Sequence, residues 1–314
     1  MGGDDNDCMT TTSLQGAVRL ADLGVVRAAG ADAATFLHSQ LTNDILSLDS
    51  TQARLAGHCS AKGRLLASFV VWRRGVDEVL LACSADLLGP ALKKLSMFVL
   101  RARCKLTDAS HEVALYGLAG DAATAWLGDA APPAAWQRTD VGRAQVIRLP
   151  DGAGQARYLW AAPLDEEAPS LPALPQAAWE WMEVHSAVPR IVGATVEKFV
   201  PQMVNFEVVG GVNFQKGCYP GQEVVARSQY RGSVKRRALL FRLDAPGAPG
   251  QEVFAADDPL QPAGMIVNAA SLDAHAALVE LKLSAAGAVL RLAAADGPAL
   301  HPQPLPYPLP TEAA

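Results

Sequence analysis

The sequence predicts an α+β protein that ends in a small β-barrel. The chain has 314 residues, of which 50% are hydrophobic and 19% are charged, a composition that can bury a large core. Up to about residue 232, apolar stretches of strand length alternate with segments of helical periodicity. From residue 234 onward, only short strand-like stretches separated by turns remain, a pattern typical of a barrel.

The first third of the chain is predicted to form strands and two helices. The apolar stretches of strand length cover residues 18–20, 25–28, 53–58, 65–72 and 78–83. The first two of these are interpreted as a short hairpin. Asp32 is placed to cap a helix after it, and Ser84 is placed to cap a longer helix after the last strand. Pro90 falls early in this longer helix and can break its first turn.

The remainder of the chain is predicted to contain further strands, three helices and the barrel. Helices are predicted near 122–127, around Trp179 and Trp181, and between Pro220 and Gly232. The further strands are predicted at 113–116, 145–149 and 157–161, and those of the barrel at 237–243, 252–255, 265–269, 277–283 and 289–292. The proline-rich stretch 298–310 is predicted to lie extended over the surface.

These elements divide the chain into five predicted parts. They are a flexible N-terminal tail at 1–16, an α+β core made of 17–109 together with 176–232, a second α+β subdomain with a proline-rich loop at 110–175, a C-terminal β-barrel at 233–297, and a proline-rich tail at 298–314. The core carries the cysteine motif described below.

Composition excludes several classes of protein. The net charge of −5 argues against a protein that binds nucleic acid in bulk. The five cysteines are widely spaced and form no Cys-x-x-Cys pair, which argues against a disulfide framework and a zinc site. No apolar stretch has the roughly 20 residues needed to span a bilayer, and the acidic start is unlike a signal peptide. We therefore expect a cytoplasmic protein with reduced thiols and no tightly bound metal.

One segment carries a candidate reactive group. Residues 216–227 read KGCYPGQEVVAR, so glycines bracket Cys218 immediately before a predicted helix. A helix N-terminus stabilises a thiolate by about 0.3–1 kcal/mol, and one pKa unit corresponds to about 1.36 kcal/mol. The helix alone would lower the thiol pKa by less than one unit, so Lys216 would have to contribute. The alternative is a glycine-rich turn that happens to contain a cysteine.

The same region is rich in positive charge. Residues 216–242 contain seven basic side chains and one acidic side chain, Glu223, although the whole chain is acidic. This charge favours an anion-binding role, while the alternative is a solvated basic face. Trp179 and Trp181 point to different sides of their helix, so one is expected in the core and the other could stack on a planar ligand.

At these residues the sequence resembles a known family, the YgfZ-type folate-binding proteins, which are relatives of the glycine cleavage T-protein. The resemblance extends from about residue 18 to the final prolines, and the cysteine motif is its most specific part. The matching motifs lie at 36–44, 61–64, 199–202, 210–214, 216–227 and 231–236.

The resemblance implies a fold and a function. The fold would be a three-part ring of glycine cleavage T-protein type around a central cavity that binds tetrahydrofolate or a one-carbon derivative. The family supports assembly or repair of iron–sulfur clusters, including those of radical enzymes that thiolate tRNA. The implied partners are folate and iron–sulfur client proteins, with no stable binding to nucleic acid or membrane and a monomeric state. An accessory protein is expected rather than a turnover enzyme.

The resemblance also implies the site residues. The reactive pair would be Cys218 and Lys216. The positions implied to contact the cofactor are Trp179, Leu23, Gln202, Asn205, Tyr219, Gln222, Glu223, Arg227 and Arg231. Leu23 stands where the family has a second tryptophan, and His185 stands where the family has an acidic residue.

Two alternatives from other classes remain. The first is the aminomethyltransferase reaction of the glycine cleavage T-protein, a folate-dependent one-carbon transfer. It depends on a carboxylate at positions that the resemblance matches to Ala67 and Ser68, neither of which can ionise as a carboxylate. The second is direct RNA binding through residues 216–242, which the acidic total charge and the few aromatic residues disfavour.

Overall fold

The computed structural model describes residues 12–230 and 234–310 of the chain. The strands are β1 (Gly16–Arg19), β2 (Leu23–Ala29), β3 (Ala53–Cys59), β4 (Leu65–Arg73), β5 (Glu78–Ser84), β6 (Lys105–Asp108), β7 (Val113–Ala119), β8 (Arg138–Val141), β9 (Ala144–Gly152), β10 (Gln155–Pro163), β11 (Arg236–Leu243), β12 (Glu252–Ala255), β13 (Asp258–Ser271), β14 (His275–Lys282), β15 (Leu290–Leu292) and β16 (Ala299–Gln303). The α-helices are α1 (Ala33–Gln40), α2 (Ala85–Ser96), α3 (Gly120–Leu127), α4 (Gln176–His185) and α5 (Gln222–Tyr230).

The first sheet is antiparallel, has the strand order β3-β4-β5-β2-β6 and is covered on both faces. Successive side chains of a strand point to opposite faces, so each strand contributes to two cores. On β5, Val79 and Leu81 pack in the core formed with α1 and α2, whereas Leu80 and Ala82 pack in a second core with α4 and the second sheet. This double coverage explains why β4 and β5 are almost continuously apolar.

The second sheet is also antiparallel and has the strand order β1-β7-β10-β9-β8. Its outer face packs on α3, and its inner face packs on α4. A close approach is built in at Gly117 on β7, where a Cβ atom would lie 2.6 Å from the ring of Trp179. Only glycine therefore leaves room for the α4 indole to lie on this sheet.

The C-terminal barrel is closed and has the strand order β11-β14-β13-β12-β15-β16. The prediction of an α+β protein with a C-terminal barrel is confirmed, and each of the five predicted barrel strands is present. The barrel has a sixth strand, β16, which lies in the stretch predicted to be extended on the surface. The prediction was wrong there because residues 299–303 find pairing partners on β11 and β15.

Several local predictions differ from the structure. The predicted hairpin is absent, because β1 pairs with β7 while β2 pairs with β5 and β6. Asp32 precedes α1 without capping it, since its carboxylate accepts hydrogen bonds from Arg103 instead. Pro90 is accommodated within α2. The helix after the cysteine motif begins at Gln222 and not at Pro220.

The two ends of the chain were predicted to be a flexible tail and an extended tail. Residues 1–11, 231–233 and 311–314 lie outside the described residues, so the predicted helix end at Gly232 falls there too. Within the described part, Thr12 donates a hydrogen bond from its hydroxyl to Asp273 at 3.0 Å, and Gln15 accepts one from the Ala122 amide at 3.2 Å. Residues 12–16 are thus held on the folded body, while the predicted domain boundaries themselves stay a prediction.

Candidate functional site

A cavity, named here the inner chamber, lies between the first sheet, the second sheet and α4. Its volume is about 80 Å³. The wall is mostly apolar, because both sheets turn core-facing side chains toward it. Its polar groups come from Ser68 on β4, Arg157 on β10, Glu183 on α4, and Ser186 and Arg190 on the segment after α4. Such a chamber suits a flat apolar body with a few polar atoms at its edge.

A wider cavity, named here the outer chamber, adjoins the inner chamber. Its volume is about 610 Å³. The two chambers share the wall residues Trp136, Pro150, Ser186 and Val188, and Tyr307 from the C-terminal segment lines the outer one. The two chambers are thus adjacent, and these four shared residues stand between them.

Trp179 and Leu23, two of the predicted cofactor contacts, both line the inner chamber. The Trp179 side chain is only 1% exposed. Its ring lies on the backbone of Gly117, and the guanidinium carbon of Arg157 lies 5.1 Å from the ring centroid. The structure thus brings the two predicted positions together, but it leaves little of the indole surface open to a ligand.

Arg157 is a buried cation at the inner chamber. Its side chain is 3% exposed, and it donates one hydrogen bond, from Nε to the carbonyl oxygen of Pro150 at 3.1 Å. The terminal nitrogens Nη1 and Nη2 have no acceptor among the described residues, and Nη1 is buried away from solvent. Burial lowers the pKa of Arg157 to about 10, so it remains a cation at neutral pH. A buried donor without an acceptor lowers the stability of the folded protein, so Arg157 is a candidate group for binding a ligand acceptor.

A network of ionic side chains stands beside Arg157. Arg190 Nη2 lies 3.2 Å from Glu183 Oε2, and Arg190 Nη1 donates a hydrogen bond to Asp22 Oδ2 at 2.6 Å. Burial raises the pKa of the Glu183 carboxyl, against the opposing effect of Arg190 and Arg157. The two carboxylates raise the pKa of Arg190. Asp22 and Glu183 thus neutralise Arg190, while Arg157 has no carboxylate of its own.

Trp181 and His185 face away from this cavity. Trp181 packs against barrel residues, and the His185 ring lies 4.2 Å from it, centroid to centroid. The Nδ1 atom of His185 lies 2.8 Å from the carbonyl oxygen of Trp181, and burial lowers the pKa of His185. His185 lines neither chamber, so this departure from the family pattern supplies no group to the cavity.

Ser68 occupies the position where the resemblance expects a carboxylate. It lies on β4 in the wall of the inner chamber, and its hydroxyl oxygen accepts a hydrogen bond from the Ile191 amide at 2.9 Å. Ala67, the neighbouring position, is buried in the core on the other face of the sheet. These two positions thus supply no carboxylate to the chamber.

The cysteine loop, residues 214–221, lies elsewhere. The Cys218 side chain is exposed, and Cys218 lines neither chamber. Gly221 has a φ of 80°, and a Cβ atom there would lie 2.3 Å from the carbonyl oxygen of Ser60. This glycine lets the loop pack closely on the turn between β3 and β4. The structure therefore separates the thiol from the two positions predicted to hold the ring of the cofactor.

Lys216 fixes one end of this loop. Its ammonium group donates hydrogen bonds to the carbonyl oxygens of His38 and of Leu41, which lie at the end of α1, and it sits 4.9 Å from the centroid of the Tyr219 ring. Burial lowers the pKa of Lys216 to about 8, although the charge of Asp44 acts in the opposite direction. A contribution of Lys216 to the reactivity of Cys218 stays a prediction.

A histidine that the sequence did not single out as functional lies beside the loop. His38 Nδ1 is 3.0 Å from Asp44 Oδ1, off the line of a good hydrogen bond. A Cβ atom on Gly217 would lie 3.5 Å from His38 Nε2. Burial and the nearby charge of Lys216 lower the pKa of His38. The loop is thus bordered by a second titratable side chain besides Lys216.

The other predicted contacts on the loop and on α5 are spread out. Tyr219 is buried next to Cys59, and burial raises the pKa of its hydroxyl. Gln222 is half-buried, while Glu223 and Arg227 are exposed on α5 and do not form an ion pair with each other. Arg231, predicted as a further contact, lies outside the described residues. None of the four described residues lines either chamber.

Gln202 and Asn205 connect their segment to α5 and to the barrel strand β11. Gln202 Nε2 donates a hydrogen bond to the carbonyl oxygen of Val225 on α5 at 2.9 Å. Asn205 Nδ2 donates one to the carbonyl oxygen of Ala238 on β11 at 2.7 Å. Both side chains are buried and line neither chamber. The structure thus gives these two predicted contacts a role in packing.

The predicted excess of positive charge at 216–242 is reduced by the fold. The Arg236 guanidinium is paired with Glu280 on β14, with Nη2 2.9 Å from Oε2, and Arg237 is paired with Glu207. Arg242 Nη1 lies 3.0 Å from Asp244. Glu207, Asp244 and Glu280 lie outside the sequence window, so a count over the window alone overestimated the charge.

Arg157 was missed although the sequence carries a signal for it. Residues 157, 159 and 161 share one face of β10, and Leu159 and Ala161 belong to the core around α4. An arginine in phase with such residues is expected to be buried and to need a partner. The cavity itself could not be recognised, because its walls come from strands far apart in the sequence.

Comparison with known proteins gives a consistent result. A scan against family models found no match. The chain is 33% identical over 310 residues to the tRNA-modifying protein YgfZ of Edwardsiella ictaluri, which covers 92% of each chain. It is 28% identical over 313 residues to the protein of the same name from Colwellia psychrerythraea, covering 93% of each chain.

A solved structure matches the fold as a whole. The glycine cleavage system aminomethyltransferase T from Bartonella henselae superposes with a TM-score of 0.71, covering 95% of this chain and 87% of the other at 16% identity. This likeness confirms the predicted glycine cleavage T-protein type of fold. Among residues 12–230 and 234–310, no helix is long and apolar enough to cross a membrane.

Proposed function

Because the chain belongs to the family of tRNA-modifying proteins YgfZ, we propose that it is a tetrahydrofolate-binding accessory protein for tRNA modification. In this role it supports the assembly or repair of iron–sulfur clusters, including those of radical enzymes that thiolate tRNA. Cys218 acts as its reactive thiol. The family membership supports the link to tRNA modification, and the folate, the clusters and the thiol chemistry are our extension of it.

The observation that carries the folate proposal is the pair of adjoining chambers. A reduced folate has a flat heterocycle with polar edge atoms and a long, flexible, anionic tail. The inner chamber offers apolar walls with Arg157 and Glu183 among them, and the outer chamber is several times larger. Arg148 is the basic side chain among the residues that line the outer chamber, and it is paired there with Asp151. A carboxylate of the tail would compete with Asp151 for this guanidinium.

Aminomethyl transfer is the less favoured function. That reaction needs a group that carries a proton beside the folate nitrogens, and general acid–base catalysis contributes about 10²–10⁴-fold in rate. Ser68, the residue in the chamber wall at the corresponding position, has a hydroxyl group that does not ionise as a carboxyl group does, and its oxygen accepts a hydrogen bond from the Ile191 amide. The likeness to the aminomethyltransferase concerns the fold alone.

RNA binding through residues 216–242 is also less favoured. Arg236, Arg237 and Arg242 are each engaged with an acidic side chain, so fewer positive charges are free to meet phosphates than the sequence indicates. A steep dependence of tRNA binding on salt concentration would reverse this ranking.

Cys218 is proposed as a thiol that reacts transiently with a client protein, and not as a permanent ligand of a cluster. Clusters are usually held by four thiolates. Among the described residues, no group of three or more cysteine, histidine, aspartate or glutamate side chains is arranged to hold a metal ion. The exposure of Cys218 makes it accessible to a client protein.

The folate proposal is tested by calorimetric titration with 5-formyltetrahydrofolate. We expect one site per chain. Val188→Trp, which fills the boundary between the chambers, should abolish the binding heat, and Val76→Trp at an exposed loop should not. Absence of heat and of any thermal shift at millimolar ligand would refute folate binding.

The role of the thiol is tested in a strain that lacks its own copy of the protein. The wild-type chain should restore thiolated tRNA, and Cys218→Ala should fail to do so while it still binds 5-formyltetrahydrofolate. Full rescue by Cys218→Ala would refute the thiol chemistry and leave the folate proposal standing.

A further inference from the structure

Trp179, the residue expected to stack on the ligand, has its ring already covered. The side chain is 1% exposed, with the Gly117 backbone and the Arg157 guanidinium against it. A second ring cannot stack there without displacing Arg157. The side chain that meets a ligand in this part of the inner chamber is therefore Arg157.

Arg157 is held in one orientation before any ligand arrives. Its Nε donates to the Pro150 carbonyl oxygen, and its guanidinium lies over the Trp179 ring. These two contacts use one donor and leave Nη1 and Nη2 without an acceptor among the residues described. A guanidinium fixed in this way loses little conformational freedom on binding a ligand oxygen.

The surroundings restrict what can satisfy Arg157. The nearby carboxylates are engaged elsewhere, because Glu183 and Asp22 pair with Arg190. Water alone would serve poorly in a narrow chamber with apolar walls formed by Leu23, Phe69 and other core residues. A planar lactam ring would meet both needs, because its carbonyl oxygen accepts hydrogen bonds from Arg157 and the ring itself fills the apolar space.

We propose that Arg157 binds the carbonyl oxygen at the edge of a planar lactam ring in the inner chamber, and that Trp179 acts as a positioning residue for Arg157. This inference rests on the proposed function, since a reduced folate carries such a ring. It adds that the chamber selects for a ring oxygen at this edge and against an amino group, which would place donor against donor.

The ring oxygen is tested with a matched pair of ligands on the unmodified protein. Folic acid and aminopterin differ in that an amino group replaces the ring oxygen. Pterin and 2,4-diaminopteridine repeat the comparison without the tail. Calorimetric titration should give at least about tenfold tighter binding of the oxo member of each pair, as expected for a charge-assisted hydrogen bond. Equal affinity within both pairs would overturn the inference.

Variants connect the preference to the named residues. Arg157→Met should weaken folic acid binding by about tenfold or more and remove the preference, and Arg157→Lys should restore part of it. Arg143→Met is the control, because this arginine lies in the turn between β8 and β9 and its exposed side chain pairs with Asp165 and Glu166; it should change neither quantity. Trp179→Phe should lower the ratio of the affinity for pterin to the affinity for 2,4-diaminopteridine. The affinity for 2,4-diaminopteridine itself should change by a smaller factor.

The outcomes separate this inference from the proposed function. Binding of 5-formyltetrahydrofolate that is unaffected by Arg157→Met, with no preference for the ring oxygen, would overturn the inference and uphold the function. Binding of pterin that depends on Arg157, without binding of any folate, would do the reverse. Absence of binding to all five compounds would overturn both. Thermal melting of each variant shows whether it is folded, and the ligand pairs on the wild-type chain need no variant.

Discussion

The ammonium group of Lys216 donates a hydrogen bond to the carbonyl oxygen of Leu41 at 2.8 Å. The same group also donates to the carbonyl oxygen of His38. Carbonyls at the end of a helix have no partner within the helix, so Lys216 satisfies acceptors that α1 leaves free. Lys216 thereby joins the cysteine loop to α1, whatever it contributes to the thiol of Cys218.

Replacing Lys216 tests this connection. Lys216→Met keeps much of the apolar stem and removes the donor from both carbonyls, so the free energy of unfolding should fall by about 1–3 kcal/mol. Urea denaturation measures it. Lys235→Met, at an exposed lysine, is the matched control and should change stability by less than about 0.5 kcal/mol. Equal stability of the two variants would contradict a clamp at Lys216.

His58 predicts a loss of stability in acid. It is 1% exposed on β3, and burial, with a smaller effect of Lys94, lowers its pKa to about 4 from 6.5. Between these values the unfolded chain binds the proton and the folded chain does not, so stability is present above pH 6.5 and is lost as pH falls toward 4. The loss should reach about 3 kcal/mol.

Denaturation midpoints measured from pH 7 to pH 4 check this. His58→Leu should flatten the dependence on pH, while His111→Gln, at an exposed histidine, should leave the wild-type curve unchanged. If His58→Leu showed the same dependence of stability on pH as the wild-type chain, another group would be the cause of the acid sensitivity.

The cysteines should differ in reactivity. Cys218 is exposed, whereas Cys59 and Cys83 are buried, and burial raises the pKa of each of these two thiols to about 12. Burial also raises the pKa of Cys104. At pH 8, iodoacetamide should therefore modify Cys218 well before these three.

Peptide mapping by mass spectrometry resolves each site. In 6 M urea these four of the five thiols should react at similar rates, which serves as the control for intrinsic reactivity. Modification of Cys59 as fast as Cys218 in the folded protein would contradict the burial described here.

Removing the buried hydroxyl of Ser68 should lower the stability of the protein. Ser68→Ala leaves the Ile191 amide without its acceptor at 2.9 Å, so the free energy of unfolding should fall by about 1–3 kcal/mol. Ser68→Thr keeps the hydroxyl and is the matched control. Chemical denaturation of both variants measures the difference, and an Ser68→Ala protein as stable as wild type would show that the amide finds another acceptor.

The sequence predicted elements well where the signal is local. The helix around Trp179 and the barrel strand Glu252–Ala255 follow from periodicity and turn residues. Pairing between distant segments was less accessible: β1 lies next to β7, although β2 is its neighbour in sequence. Short edge strands such as Lys105–Asp108 carry little periodicity and were not predicted.

The candidate site shows the same division. The cysteine motif is contiguous, so it could be recognised at once. The inner chamber brings together Leu23, Ser68, Arg157 and Trp179 from four separate segments, and its polar chemistry depends on which charges are neutralised. The pairing of Arg237 with Glu207 joins segments 30 positions apart and depends on the fold, so charge counting along the chain could not detect it.

The barrel closes through a strand that follows all of its other strands in the chain. Until β16 is made, the edge of β11 that it covers carries unpaired amide and carbonyl groups. A ribosome adds about 5–20 residues per second, so the edge of β11 stays unpaired for several seconds during synthesis. Neighbouring chains on one messenger could pair through it. Expression at high density therefore risks intertwined products, and slower initiation or a chaperone that shields the emerging edge should reduce them.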